Sequence, residues 1–291
     1  MLRPLKELEG FAIGATDGSL GQITDFLFDD EAWVVRYLVV YTGSWLSNRT
    51  VLISPIAIGT PSWDDRILRV PMTTEQVRNS PDVDTSKPVS RQYESGYFGY
   101  YGYYPYYWGA SALWGASDHP SALQPGPVHA KRRVEPQTVA EERARVEREI
   151  DSHRDDDPHL RSVNAVMHYH IKATDGGIGH VQGLLMEEDT WAVRYLIVDT
   201  SNWWVGHTVL ISPRWIEGVS WSERTVSINL TREAIKKSPP YDPAGSLQRP
   251  EEMNLHNHYR REGYWAENVR LRNPEFRPVE SAQQDVVDRR A

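Results

Sequence analysis

The chain contains no cysteine, so neither disulfides nor thiolate metal sites can staple it, and thiol catalysis is excluded. No window approaches the ~18 consecutive apolar residues of a membrane span. The opening Met1-Leu2-Arg3-Pro4-Leu5-Lys6-Glu7 carries charges where an export signal needs an apolar run, so a cytoplasmic location is expected. Basic surplus is also missing. A formal charge of −8 argues against direct nucleic-acid binding, which relies on a positive surface. Catalytic signatures are equally scarce. Gly177-x-Gly179-x-x-x-Gly183 has the wrong spacing for a dinucleotide fingerprint, and no nucleophile elbow accompanies the serines. No enzyme and no cofactor are expected.

What the chain does have, it has twice. Ala15-Thr16-Asp17-Gly18, Trp33, Arg36-Tyr37-Leu38, Thr42 and Thr50-Val51-Leu52-Ile53-Ser54-Pro55 recur 158 residues later. The second set is Ala173-Thr174-Asp175-Gly176, Trp191, Arg194-Tyr195-Leu196, Thr200 and Thr208-Val209-Leu210-Ile211-Ser212-Pro213. About 30 of the 74 positions from Phe11/Tyr169 to Asp84/Asp242 are identical, which marks an internal duplication. Each copy reads as short β-strands. Asp17-Gly18 and Asp175-Gly176 signal tight hairpins. Trp33–Tyr41 and Trp191–Val198 are apolar on both faces, as in a strand covered on both sides. Thr73 with Gln76, and Thr231 before Glu233, open a closing helix that Ser80-Pro81 and Ser238-Pro239 end. Short twisted strands plus one small helix in under eighty residues predict a compact β-barrel.

These paired signatures resemble the PRC-barrel family. The second copy is especially similar, through Tyr169-His170-Ile171-Lys172-Ala173-Thr174-Asp175-Gly176 and Thr190-Trp191-Ala192-Val193-Arg194-Tyr195-Leu196. The resemblance implies a mainly β protein with two tandem small barrels used as an interaction module, as in the cytoplasmic part of the photosynthetic reaction-centre H subunit. The expected organisation is a first barrel at 1–84, a linker at 85–160, a second barrel at 161–243 and a polar tail at 244–291. Within the linker, Tyr93–Trp114 is rich in Tyr and Gly and predicts no regular secondary structure across 93–130. It reads either as a flexible connector or as an adhesive aromatic segment. Thr138–Ser152 predicts a charged spacer helix.

The candidate structural or interaction residues are those that recur. Arg36 and Arg194 sit inside apolar strands, where an unpaired guanidinium is costly. Each is therefore expected to pair with a carboxylate of its own copy, from Asp29–Glu31 or Glu187–Asp189 or from the hairpin aspartates Asp17 and Asp175. Trp45 and Trp203, with Trp204 beside it, lie in a loop and either cap the barrel end or anchor a partner. His168-x-His170 and His256-x-His258 begin a metal-ligand pattern, but no third ligand has obvious spacing, so they read as ordinary histidines. The function expected is a non-catalytic adaptor binding a protein partner, in a membrane-associated or ribosomal assembly. The alternative is a small-ligand or ion sensor with a site between the barrels. The two barrels are expected to pair with each other, with no membrane-spanning segment and room for peripheral association.

Overall fold

Hydrophobic alternation in each copy produces a sheet, and the computed structural model shows two. It describes residues 1–59, 63–81, 91–108, 112–115, 117–124, 160–200 and 208–266. Trp203, Trp204 and the charged stretch Thr138–Ser152 lie outside the described residues. The chain divides into two units, Met1–Ser246 and Leu247–Ala291. Both copies and the aromatic connector fall in the first.

The strands of the first copy are β1 (Leu2–Pro4), β2 (Ala12–Gly14), β3 (Ser19–Asp29), β4 (Val34–Tyr41), β5 (Thr50–Ile53) and β6 (Ile67–Arg69). Those of the second are β7 (Leu160–Ser162), β8 (His170–Ala173), β9 (Gly176–Glu187), β10 (Val193–Asp199), β11 (Thr208–Ile211), β12 (Ile216–Ser220) and β13 (Thr225–Ile228). One sheet runs β5-β4-β3-β2-β6 and the other β11-β10-β9-β8-β13-β12. Pairing is antiparallel except for β2 with β6 and β8 with β13, which are parallel. The protein is mainly β, with few and short helices. Among the described residues no helix is long and apolar enough to cross a membrane.

The first strand of each copy leaves home. β1 pairs with β9 of the second copy, Leu2 opposite Glu187 and Pro4 opposite Leu185. β7 pairs with β3 of the first, Leu160 opposite Asp29 and Ser162 opposite Leu27. At the offset of 158 these are the same residue pairs read from both sides. Between them Val34 bridges Ala192, Val35 N–H donates to Trp191 O (2.9 Å), and Val193 N–H donates to Trp33 O (2.7 Å). Trp33 and Trp191 hold the left-handed backbone, φ 54° and 58°, that an aromatic residue rarely adopts. Each thereby directs its carbonyl at the other copy. The contacts made by equivalent residues are those of a self-complementary surface used twice.

The Asp-Gly hairpins form between β2 and β3 and between β8 and β9. The positive φ expected of these glycines is held by Gly176 (137°) in the second hairpin but not by Gly18 in the first. Both copies also hold a positive φ at Gly21 (142°) and its equivalent Gly179 (149°), where an added Cβ would overlap the carbonyl oxygens of Tyr41 and Asp199. Neighbouring backbones approach so closely there that no side chain fits.

The aromatic connector corrects the sequence reading. Helix α2 spans Arg91–Tyr101, after the short closing helix α1 (Thr74–Arg78), and tight helical turns follow at Tyr106–Trp108 and Pro120–Leu123. Tyr93, Tyr97, Phe98 and Tyr101 recur at helical spacing. Tyr97 and Phe98 are buried, while Gly96 and Gly99 face open space. Two interior glycines cost a helix about 1 kcal/mol each, less than burying two large rings returns. Gly102, with φ 71°, closes the helix, and Tyr103 N–H donates to Phe98 O at 3.0 Å.

Helix α3 (Val163–Val166) follows β7, and α4 (Arg232–Lys236) closes the second copy. The second unit contains α5 (Arg249–His258). Its helix begins with a capping box from Gln248 and Glu251.

Candidate functional site

The apolar run of β4 carries one cation, and its surroundings show why it is tolerated. Arg36 is only 3% exposed. Its Nη2 lies 3.1 Å from Asp29 Oδ2, and Nη1 donates to Leu113 O at 2.6 Å. The guanidinium lies 3.6 Å from the Tyr106 ring centroid and 4.7 Å from that of Trp114. Asp29 is itself held, because its Oδ1 accepts the N–H groups of Glu31 and Ala32 across the acidic turn. Trp114 Nε1–H then donates to Thr190 O of the second copy at 2.7 Å. Ion pair, ring stack and carbonyl satisfy a charge that could not be buried alone.

The next residue of β4 begins a second buried group. Tyr37 Oη donates to Glu94 of α2 (3.2 Å), as does Tyr106 Oη (2.9 Å), and Glu94 is fully buried. The Tyr37 and Tyr97 rings meet edge to face at 5.1 Å, and Tyr97 Oη accepts the N–H of Ser54. Burial, then the Glu94 carboxylate, pushes the Tyr37 phenol well above its ordinary range. The rings of the connector are thus core of the first copy.

In the second copy Arg194 Nε lies 3.0 Å from Glu187 Oε2, and Thr190 Oγ1–H donates to the same oxygen at 2.8 Å. Burial alone would raise the Glu187 carboxyl. The Arg194 charge, with hydrogen bonds from Arg194 and Thr190, outweighs it and holds the group below its usual value. Both strand arginines are paired with the acidic turn of their own copy.

The other recurring residues have structural work. Asp17 accepts the Thr74 N–H at 2.8 Å and the Thr74 hydroxyl at 2.9 Å. Asp175 accepts the Arg232 N–H at 2.8 Å. The hairpin aspartates therefore tie the closing helices α1 and α4 to the sheets, and the Thr74 N–H is the main cause lowering the Asp17 carboxyl. Trp45 caps its loop, half-buried, with Nε1–H donating to Leu20 O at 2.9 Å. Thr16 and Thr174 donate to Met72 O and Leu230 O, the same contact in each copy.

Two residues escaped the sequence reading, Arg3 and Arg161. Arg3 Nη2 lies 2.7 Å from Glu188, and its guanidinium is 4.1 Å from the Trp63 ring centroid. Arg161 Nε lies 2.8 Å from Asp30, with its guanidinium 4.4 Å from the Trp221 ring centroid. Each clamps its own copy to the acidic turn of the other. Their signal was present, since Leu2-Arg3 and Leu160-Arg161 stand at the offset of 158 just before the aligned stretch. The same offset relates connector and tail. Glu94 and Tyr106 correspond to Glu252 and Tyr264, and Tyr264 Oη donates to buried Glu252 at 2.9 Å within the second unit. The repeat is longer than its obvious part.

Neither a scan against protein-family models nor a search of curated proteins finds a match to this chain.

Proposed function

We propose that this chain is a non-catalytic interaction protein, built from two PRC-barrel-like units locked together and binding a protein partner. One observation carries the reading. The polar side chains retained in both copies have architectural roles: the arginine pairs, the helix-tying aspartates and the threonine bonds to Met72 and Leu230. A duplicated active site would instead retain polar groups directed at a shared open space. Surface residues are where the copies have parted. Tyr41, Tyr100 and Tyr104 are 44, 42 and 41% exposed, at positions where the later half has Asp199, His258 and Glu262. Exposed tyrosines combine an apolar body with a polar tip, the chemistry enriched at protein interfaces.

The test is gel filtration of the labelled full chain in extract of its own cells. The wild type should elute well above its own mass. The triple variant Tyr41→Ser, Tyr100→Ser, Tyr104→Ser should return to the size of the bare chain while keeping the far-UV spectrum of the wild type. Co-elution of both proteins at the bare-chain size would remove the adaptor reading.

A further inference from the structure

The duplication supplies an internal control for a patch in which the second copy differs at every position. His170 of β8 is the cross-strand partner of His180 of β9, and His180 is the partner of Asp199 of β10. Residues directly opposed on adjacent strands project from the same face, with Cβ atoms about 5 Å apart. His168, just before β8, places its ring 5.7 Å from that of His180, and His180 Nε2 lies 3.7 Å from Asp199 Oδ2. Three imidazoles and a carboxylate therefore share one patch. The first copy has Gly10, Ala12, Gln22 and Tyr41 at these positions, a set with no imidazole and no carboxylate.

We infer that the second copy carries a binding site for zinc or a similar imidazole-seeking divalent ion, formed by His168, His170 and His180 with Asp199. Imidazole nitrogen and carboxylate oxygen are the zinc donors available to a protein without cysteine, and four of them complete a tetrahedral shell. His168 strengthens the assignment. It holds φ 65° where Gly10 holds 76°, so a side chain has been accepted at a left-handed position natural to glycine. Its backbone is fixed there by the N–H bond to Val181 O at 2.8 Å, as Gly10 is fixed to Ile23 O. Among the described residues no three donor groups already stand in a metal-ligand arrangement. His168 and His170 are exposed, while His180 and Asp199 are half-buried and give the anchored half of the site. The sequence shows the His-x-His start of this pattern, and the sheet register brings in the third and fourth groups. The inference is independent of the partner reading.

The experiment is Zn2+ titration of the full chain against a chromogenic chelator, with thermal melting of the metal-free proteins as the folding control. The wild type should bind one equivalent in the micromolar range or tighter. The variant His168→Gly, His170→Ala, His180→Gln, Asp199→Tyr transplants the first copy's residues, which that framework already accommodates, and should lose this equivalent. Asp199→Asn alone should weaken it by about tenfold or more. A quadruple variant that titrates like the wild type, or a wild type with no saturable binding below millimolar Zn2+, overturns the site. If the quadruple variant melts early, His180→Gln alone decides, and retention of the full equivalent in that variant also overturns it.

Discussion

Arg36 and Arg194 occupy the same strand position and pair with the same acidic turn, yet their surroundings differ. The Arg36 side chain is 3% exposed and faces the Tyr106 and Trp114 rings, whereas that of Arg194 is 12% exposed and receives help from Thr190. The common part is electrostatic and was duplicated with the strand. The different part is the cover. In the first copy the connector became core, and the arginine there is as much a stacking residue as an ion-pair partner.

That comparison is broken most severely by removing the cation. Arg36→Met should cost about 3–5 kcal/mol in chemical denaturation, because Asp29 is left buried without its partner. Arg194→Met should cost clearly less, and equal losses would show that the aromatic cover adds nothing. Gly21→Ala and Gly179→Ala should follow at about 3 kcal/mol each, since a Cβ meets backbone oxygen and not a movable side chain. If either is silent, the close approach of the neighbouring strand is absent. The exchanged-strand clamps come next. Arg3→Ala and Arg161→Ala should each cost about 1 kcal/mol and be roughly additive with each other, being equivalent contacts made to different partners, Glu188 and Asp30. Mismatched losses would mean that the two clamps are not equivalent.

The smallest effect concerns acid. The Glu187 carboxyl is held below its usual value, so its contribution to stability is fully present above the unfolded value, near ~4.3, and fades as pH falls through the lower folded value. Denaturation midpoints of Glu187→Gln should therefore fall less steeply than the wild type's below pH ~4. Parallel curves would show that Arg194 does not hold the charge.

Much of this architecture could be read directly. The offset of 158, the β4 and β10 runs apolar on both faces, the Thr73–Gln76 capping box and the need of Arg36 and Arg194 for a carboxylate of their own copy all follow from local pattern and the cost of burying charge; the structure chooses the acidic turns over the hairpin aspartates. The connector misled because glycine density argues against helix, and local propensity is overridden when Tyr97 and Phe98 find a strand face to bury against. Asp17 and Asp175 were legible as hairpin residues but not as ties to α1 and α4, whose N-termini lie 57 residues further along the chain.

The residues alone determine that there are two equivalent β units, each carrying an arginine in an apolar strand with its acid. They do not determine which sheet a three-residue strand joins. Leu2–Pro4 and Leu160–Ser162 are too short for a distinctive alternation, and any exposed sheet edge offers them the same backbone groups. Only the tertiary structure decides that each crosses to the other copy, where Arg3 finds Glu188 and Arg161 finds Asp30. Register likewise places His170, His180 and Asp199 in one row across three strands. Spacing along the chain carries no record of such proximity, because hydrogen bonds between distant strands set it.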